Sequence, residues 1–145
     1  MPPHWPPSAA SGRAPALSLF SSATGTQPPA SWRVVGVPRG KIPLTRFDII
    51  ELDGRQVLRV EASRSYGNLV HALAPAVPDA GMRLRWRWRL DQWTAHARDL
   101  AADFRLAFGH ESVSLPALEA VLVGADADNT GSYSLGYVEG VTLSP

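Results

Sequence analysis

The sequence predicts a mostly β fold, namely an antiparallel β-sandwich with one α-helix. Three observations lead to this prediction. Strand-like runs recur along the chain, and turn residues separate them at hairpin-length spacings. The dipeptide Asp53-Gly54 lies between two of these runs and is among the strongest short signals for a hairpin. A single later stretch has apolar residues at helical spacing, which predicts one helix.

Length and composition are those of one folded domain. The chain has 145 residues, of which 45% are hydrophobic and 19% are charged, so it has enough apolar surface for a core. Residues 1–27 are rich in Pro, Ser and Ala and are predicted to form a disordered tail, with residues 28–145 as a single sandwich domain. The folded part is expected to begin near Leu17 or Ser31. The tail lacks the features of a competent secretion signal, and the localisation is left open.

The first strands are predicted from alternation between apolar and polar residues. Leu58, Val60 and Ala62 alternate with charged residues, so one face of that strand is expected to be buried and the other wet. His71 lies on another strand and is expected to be a half-buried structural residue. The runs lie at residues 32–37, 46–52, 55–62 and 66–73.

Residues 82–91 give the clearest strand. Trp86 and Trp88 share one face with two leucines, and same-face neighbours are about 6.6–6.8 Å apart. The two rings therefore form an apolar stripe that is predicted to face the core, where Trp32 and Phe104 are also placed. The alternative is that the two rings form a platform on which a sugar stacks.

Four arginines share the opposite face of this strand. The favoured interpretation is a solvated face, in which the arginines form ion pairs with acids on nearby strands. The alternative is a surface for an anionic ligand, since the arginine fork suits carboxylate, phosphate or sulfate. The arginines are Arg83, Arg85, Arg87 and Arg89, and the acids are Asp48, Glu51, Asp53 and Glu61.

The period then changes, which predicts a helix over residues 94–108. Apolar residues recur at three- and four-residue steps, with Thr94 as a plausible N-cap and Gly109 after the last turn. The last two strands are predicted at residues 117–125 and 133–143, joined by an acidic turn.

Composition excludes several classes of function. The formal net charge of +1 gives no basic excess, so no nucleic-acid partner is expected. No run of about 18 apolar residues is present, so no membrane-spanning helix is predicted. The absence of cysteine excludes disulfides, thiolate metal sites and cysteine nucleophiles. The histidines lack H-x-x-x-H spacing, and the serines lack a G-x-S-x-G context.

Three segments of the chain carry a resemblance to known proteins. The most specific are Leu84-Arg-Trp-Arg-Trp-Arg-Leu and Ala125-Asp-Ala-Asp-Asn-Thr-Gly, and Ser31-Trp-Arg-Val-Val-Gly-Val-Pro also contributes. Together these segments resemble a bacterial family of unknown function, DUF3047. The resemblance implies a jelly-roll-like β-sandwich, often exported, with no assigned activity.

One departure from the family concerns the residues that follow the tryptophan–arginine strand. Members of the family continue with further strands, whereas here Leu90 is followed almost directly by the segment predicted to be helical. The resemblance therefore implies that a central block is missing. Exposed sheet edges would result, and they make a homo-oligomer a possible outcome.

The acidic turn is the first candidate site. Asp126 and Asp128 lie two residues apart, and Asn129 and Thr130 follow with further oxygen atoms. Three interpretations stay open: a tight structural turn, a Ca²⁺ site that uses Asp126 and Asp128, and a ligand-contact loop that includes Tyr133. No other cofactor is predicted.

For function, the leading prediction is a non-catalytic domain that binds carbohydrate or another extracellular ligand. The carbohydrate part rests on analogy between folds. One alternative is a small polysaccharide hydrolase that uses Asp126, Asp128 or Glu139, because glycosidases need two carboxylates across a cleft. Another is a shortened family member without an independent function.

Overall fold

The computed structural model describes residues 14–109, 114–127 and 132–145. The described residues contain eight strands and one α-helix, so the predicted mostly β class is confirmed. Short 3-10 turns occur at Phe20–Ser22 and Pro38–Gly40. The elements are β1 (Trp32–Val35), β2 (Arg46–Leu52), β3 (Arg55–Ser63), β4 (Tyr66–Ala76), β5 (Arg83–Arg89), β6 (Trp93–Asp99), α1 (Leu100–Phe108), β7 (Leu118–Asp126) and β8 (Tyr133–Ser144).

The strands form two antiparallel sheets of unequal width. Within the described residues, the small sheet has the strand order β1-β4-β7 and the large sheet has the order β2-β3-β8-β5-β6. All neighbouring strands in both sheets pair antiparallel. Because the large sheet has two more strands than the small one, part of its inner face has no strand opposite.

The predicted hairpin joins β2 to β3. Leu52 pairs with Arg55, which leaves Asp53 and Gly54 as the two loop residues. Their φ angles are 54° and 78°, so both adopt the left-handed conformation of a type I′ turn. Glycine tolerates this conformation and aspartate tolerates it better than most residues, which is why the dipeptide was informative in the sequence.

The hydrophobic core lies between the two sheets. Leu58 on the large sheet and Leu69 on the small sheet are both 0% exposed. Val60 from the large sheet and Trp32 from the small sheet belong to the same cluster. The two sheets therefore pack face to face, and each fully buried aliphatic side chain contributes about 1.5–3 kcal/mol.

The folded part begins near Leu17, the earlier of the two expected starts, and not at the predicted domain boundary of residue 28. Phe20 is 2% exposed, and its ring centroid lies 5.0 Å from that of Trp32. The Trp32 indole donates a 2.8 Å hydrogen bond to the Ser18 carbonyl, and Leu17 packs against the core. The prediction of a disordered tail is therefore wrong for residues 17–27. Apolar side chains of this segment pack against the core, and composition alone does not reveal this contact. Residues 1–13 lie outside the described residues.

His71 helps to hold this N-terminal segment. The Ser18 backbone N–H donates to Nε2 of His71 over 3.2 Å, while Nδ1 lies 2.8 Å from the Ala72 carbonyl. Since Nε2 accepts, Nδ1 carries the proton in this arrangement. His71 is 8% exposed and stands edge-on to Trp32, so both ring nitrogens have partners in a packed site.

The predicted helix over residues 94–108 is wrong in its first half. Residues 93–99 form β6, which pairs with β5 so that His96 lies opposite Trp86. The helix begins at Leu100, and the Asp99 side chain caps it by accepting a 3.0 Å hydrogen bond from the Ala102 N–H. Sheet pairing satisfies the backbone of residues 93–99, and this gain outweighs the helical spacing of the local apolar residues.

Helix α1 lies beside the sandwich, where it contacts β6. Phe104, which the sequence predicts in the core, packs instead on Phe108 at a ring-centroid distance of 4.7 Å and lies outside the core cluster of the described residues. Leu106 and Phe108 are 73% and 72% exposed. The core prediction for Phe104 is therefore wrong, because it assumed a longer helix packed against the sheets.

A bulge in β8 determines which of its side chains face inward. The register between β5 and β8 shifts between Arg85 and Arg87, and Gly140 has a φ of 62°. The extra residue lets both Val138 and Val141 face the core although they are three positions apart. Glu139 is left on the outer face of the large sheet, opposite Arg87.

Candidate functional site

Strand β5 has the two faces that the sequence predicts, but the tryptophan face is only partly covered. Leu84 and Trp86 pack against the core, whereas Trp88 is 47% exposed. Leu90, just after the strand, is 74% exposed. The placement of Trp88 in the core is therefore wrong. The reason is the width of the small sheet, which ends at β7 and leaves the last strands of the large sheet without a strand opposite.

The uncovered region is an apolar cleft between the sheets. It has a volume of about 480 Å³ and lies between β7 on one side and β8 and β5 on the other. Its polar lining residues include Ser134, Tyr137 and Arg89. Its size falls within the usual range for small-molecule pockets. The principal apolar lining residues are Trp86, Trp88, Leu90, Val121, Val123 and Val138.

An aromatic cluster lies beside this cleft. The Trp86 and Trp88 rings are 6.0 Å apart and nearly perpendicular. His96 stacks on Trp86 at 5.2 Å and meets the edge of Trp88 at 4.7 Å. Its Nε2 atom is buried and has no hydrogen-bond partner within the described part of the chain. The sequence did not identify His96 as a site residue, because the segment around it has a helical pattern and its place beside the tryptophans depends on sheet pairing.

The arginine face of β5 carries ion pairs, as the favoured interpretation expects. Arg89 forms an ion pair with Asp53 at 2.8 Å, so one of the predicted acids pairs with an arginine of β5. Arg87 pairs instead with Glu139 at 2.5 Å. The sequence suggests only a catalytic role for Glu139, because its ion-pair role depends on the bulge that turns it outward.

The other predicted acids that the structure shows in contact serve residues outside β5. Asp48 accepts two hydrogen bonds from Arg59, of 3.0 and 2.6 Å, and lies 3.4 Å from Arg46. The paired hydrogen bond raises the pKa of the Arg59 guanidinium above its ordinary value. Glu61 accepts a hydrogen bond from the Tyr133 hydroxyl at 2.8 Å.

The acidic turn lies mostly outside the described residues. Asp126 ends β7 opposite Tyr66, whereas Asp128, Asn129 and Thr130 fall in the undescribed segment 128–131. The turn, the Ca²⁺ site and the ligand loop therefore stay predictions. Among residues 14–109, 114–127 and 132–145, no three His, Asp or Glu side chains cluster as metal ligands do.

Tyr133 gives a measurable test of its own surroundings. Its hydroxyl donates to the Glu61 carboxylate, and this hydrogen bond raises the pKa of Tyr133. We expect Glu61→Ala to lower the pKa of Tyr133 toward the ordinary tyrosine value of about 10. Tyrosinate absorbance in an alkaline titration measures this change, with Tyr133→Phe as the variant that isolates the signal of Tyr133.

The sign of the linked stability effect follows from this raised pKa. Because the folded state favours the protonated phenol, the stabilisation is present below the ordinary pKa of tyrosine. It is lost as the pH rises through the folded pKa. An alkaline titration that is unchanged by Glu61→Ala would show that the contact does not persist in solution.

Comparison with known proteins gives one match. A family model described as "Protein of unknown function (DUF3047)" matches residues 30–92 and 89–142. The two matched segments meet at residues 89–92, which include the turn between β5 and β6. No curated protein and no solved structure matches the chain. No helix of the described residues is long and apolar enough to cross a membrane.

Proposed function

Because the chain belongs to the DUF3047 family, whose function is unknown, we propose a role from its cleft: a non-catalytic domain that binds an apolar ligand between its two sheets. The observation that carries the proposal is the open, mostly apolar cleft beside β7. A large apolar pocket with a few polar groups is the usual form of a small-molecule site. Trp88, which is half exposed at this site, would bury further surface when a ligand binds.

The lining favours an apolar group over a sugar. A sugar needs hydrogen-bond partners for several hydroxyls, and the cleft offers few polar side chains. The guanidinium of another lining residue, Arg89, bonds to Asp53 on the arginine face of β5 and so does not serve the cleft. Carbohydrate nevertheless stays the second candidate, because the exposed Trp88 ring supplies an apolar face of the kind that stacks on sugars.

The same opening supports the alternative of a shortened family member. The family match breaks at residues 89–92, next to Leu90 at the cleft. Strands inserted at that point would be well placed to cover Trp88. Missing strands would also leave sheet edges open, and open edges favour self-association. A homo-oligomer is therefore part of this alternative. A near-UV circular dichroism melt at two protein concentrations tests it, because a midpoint that rises with concentration indicates assembly.

The binding proposal is tested with the neutral apolar probe N-phenyl-1-naphthylamine. We expect saturable binding to the folded protein, and a loss of affinity of roughly tenfold in Trp88→Ala, since removing part of an aromatic contact is worth about 1.4 kcal/mol. Fluorescence titration measures both. The matched control is Trp93→Ala, which removes a tryptophan from the outer face of the same sheet and should leave probe affinity unchanged.

Other outcomes separate the alternatives. Equal affinity in wild type and Trp88→Ala would place the probe elsewhere and overturn the proposal. Saturable binding of neutral oligosaccharides, lost in Trp88→Ala, would favour the carbohydrate candidate. Release of reducing ends from a polysaccharide, lost in Asp126→Asn, would support the hydrolase alternative instead.

A further inference from the structure

A second depression lies on the outer face of the large sheet, on the opposite side from the cleft. It is open and has a volume of about 700 Å³. Strands β3, β5 and β8 line it close to the bulge at Gly140, and the N-terminal segment closes one side. The polar side chains of its lining are Ser21, Arg55, Gln56, Arg87, Glu139 and Thr142.

Positive charge exceeds negative charge in this depression. Arg87 and Arg55 both contact the same carboxylate oxygen, Oε1 of Glu139, at 2.5 and 3.0 Å. In the described part of the chain neither guanidinium contacts a second carboxylate. Two cations therefore share one anion, and the side chain of Glu139 is only 11% exposed. One positive charge is left without a partner, although the whole chain has a net charge of only +1.

The two guanidiniums also lie over the Trp93 ring. The Cζ atom of Arg87 lies 5.2 Å from the centre of the indole ring, and that of Arg55 lies 5.8 Å away. Both distances are within the range of cation–π attraction. Because Glu139 and Trp93 already order these side chains, less conformational entropy is lost when a ligand binds.

Both arginines keep hydrogen-bonding capacity. Each guanidinium has five N–H donors, and in the contacts described above only one of its nitrogens contacts Glu139. Their side chains are 47% and 37% exposed for Arg55 and Arg87, so solvent reaches them. The hydroxyls of Ser21 and Thr142, on the same lining, can also donate. Nearby Arg85 bonds to the neutral Ser144 hydroxyl and adds to the positive field.

We propose that this depression is an anion-binding site, in which Arg55 and Arg87 hold a carboxylate, phosphate or sulfate group. The forked guanidinium donors match the paired oxygens of such groups. Glu139 does not cancel this attraction, because it supplies one negative charge against two positive ones. Its second role is to hold both forks at the site. The site lies on the face of the sheet opposite the apolar cleft and does not depend on it.

Inorganic phosphate, sulfate and acetate are the probes, each compared with chloride at constant ionic strength. We expect at least one of them to raise the melting temperature saturably in the full chain. Arg55→Gln and Arg87→Gln should each lower the binding affinity for that anion roughly tenfold or more, since each removes charge-assisted hydrogen bonds. The matched control is Arg83→Gln, which removes an exposed arginine on the same strand and should leave the affinity unchanged.

Two further measurements keep the test decisive. Near-UV circular dichroism without anion shows whether each variant is folded. Arg55→Lys keeps the charge but loses the fork, so weakened binding in this variant supports paired recognition. The proposal is overturned if none of the three anions raises the melting temperature more than chloride does. It is also overturned if folded Arg55→Gln and Arg87→Gln bind as tightly as Arg83→Gln. The preferred anion identifies the chemical class of the natural ligand.

Discussion

Replacing Trp32 with alanine is expected to lower the free energy of unfolding by about 3–5 kcal/mol. Trp32 is 5% exposed, and its ring centroid lies 5.0 Å from that of Phe20. Its indole N–H donates a hydrogen bond to the Ser18 carbonyl. The substitution therefore opens a cavity between the sheets and also removes the contacts that hold the N-terminal segment. Urea unfolding followed by circular dichroism measures the change.

The matched control is Trp88→Ala, the same substitution at a half-exposed tryptophan. Because Trp88 is 47% exposed, we expect a loss of only about 1 kcal/mol. The difference between the two variants measures burial at constant chemistry. If both variants lose the same stability, the assignment of Trp32 to the core and of Trp88 to the cleft is wrong.

Thr45→Val is expected to lower the free energy of unfolding by about 1–3 kcal/mol, although the two side chains have nearly the same shape. Thr45 is 2% exposed, and its hydroxyl donates a 2.8 Å hydrogen bond to the Ala125 carbonyl. It also lies 3.1 Å from the Ser65 hydroxyl, which accepts from the Ser63 backbone N–H. Valine would remove the Thr45 hydroxyl as a partner of the buried Ala125 carbonyl and of the Ser65 hydroxyl.

The effect of Thr45→Val bears on the cleft as well as on stability. The hydrogen bond to Ala125 ties β7, one wall of the cleft, to the segment that precedes β2. The matched control is Thr94→Val, because Thr94 is exposed on β6 and should tolerate the change within about 0.5 kcal/mol. Chemical denaturation of both variants gives the comparison. An equal loss in both would mean that the buried network contributes nothing specific.

The two proposed sites use opposite faces of the same strand. Alternation along β5 places Trp86 and Trp88 toward the cleft and Arg87 toward the outer depression. This separation makes the two proposals independent, since Trp88→Ala should leave anion binding intact and Arg87→Gln should leave the apolar probe intact.

Local sequence was sufficient wherever a short stretch determines its own structure. The Asp53-Gly54 turn was predictable because few residues adopt two successive positive φ angles. The two faces of β5 were predictable because side chains alternate along any strand. The mostly β class followed from the same local patterns, whereas the family was suggested by the resemblance of several sequence segments to its members.

The candidate sites were only partly predictable, because they are made of contacts between distant residues. The tryptophans and arginines of β5 could be read from alternation, and an anionic-ligand surface was one of the open interpretations. Glu139 and His96 could not be assigned their places, since one depends on the bulge at Gly140 and the other on pairing with β5. The acidic turn stays a prediction, because Asp128 lies outside the described residues.

Tertiary structure decided what local patterns left undetermined. The segment around His96 has helical spacing but forms β6, since the edge of β5 offers backbone partners that an isolated segment lacks. Phe20 is buried because it packs against Trp32 of β1. Trp88 is exposed because the small sheet ends at β7. The physical reason is general. Turn geometry and alternation depend on a residue and its immediate neighbours, whereas burial depends on which distant strands are present to cover a face.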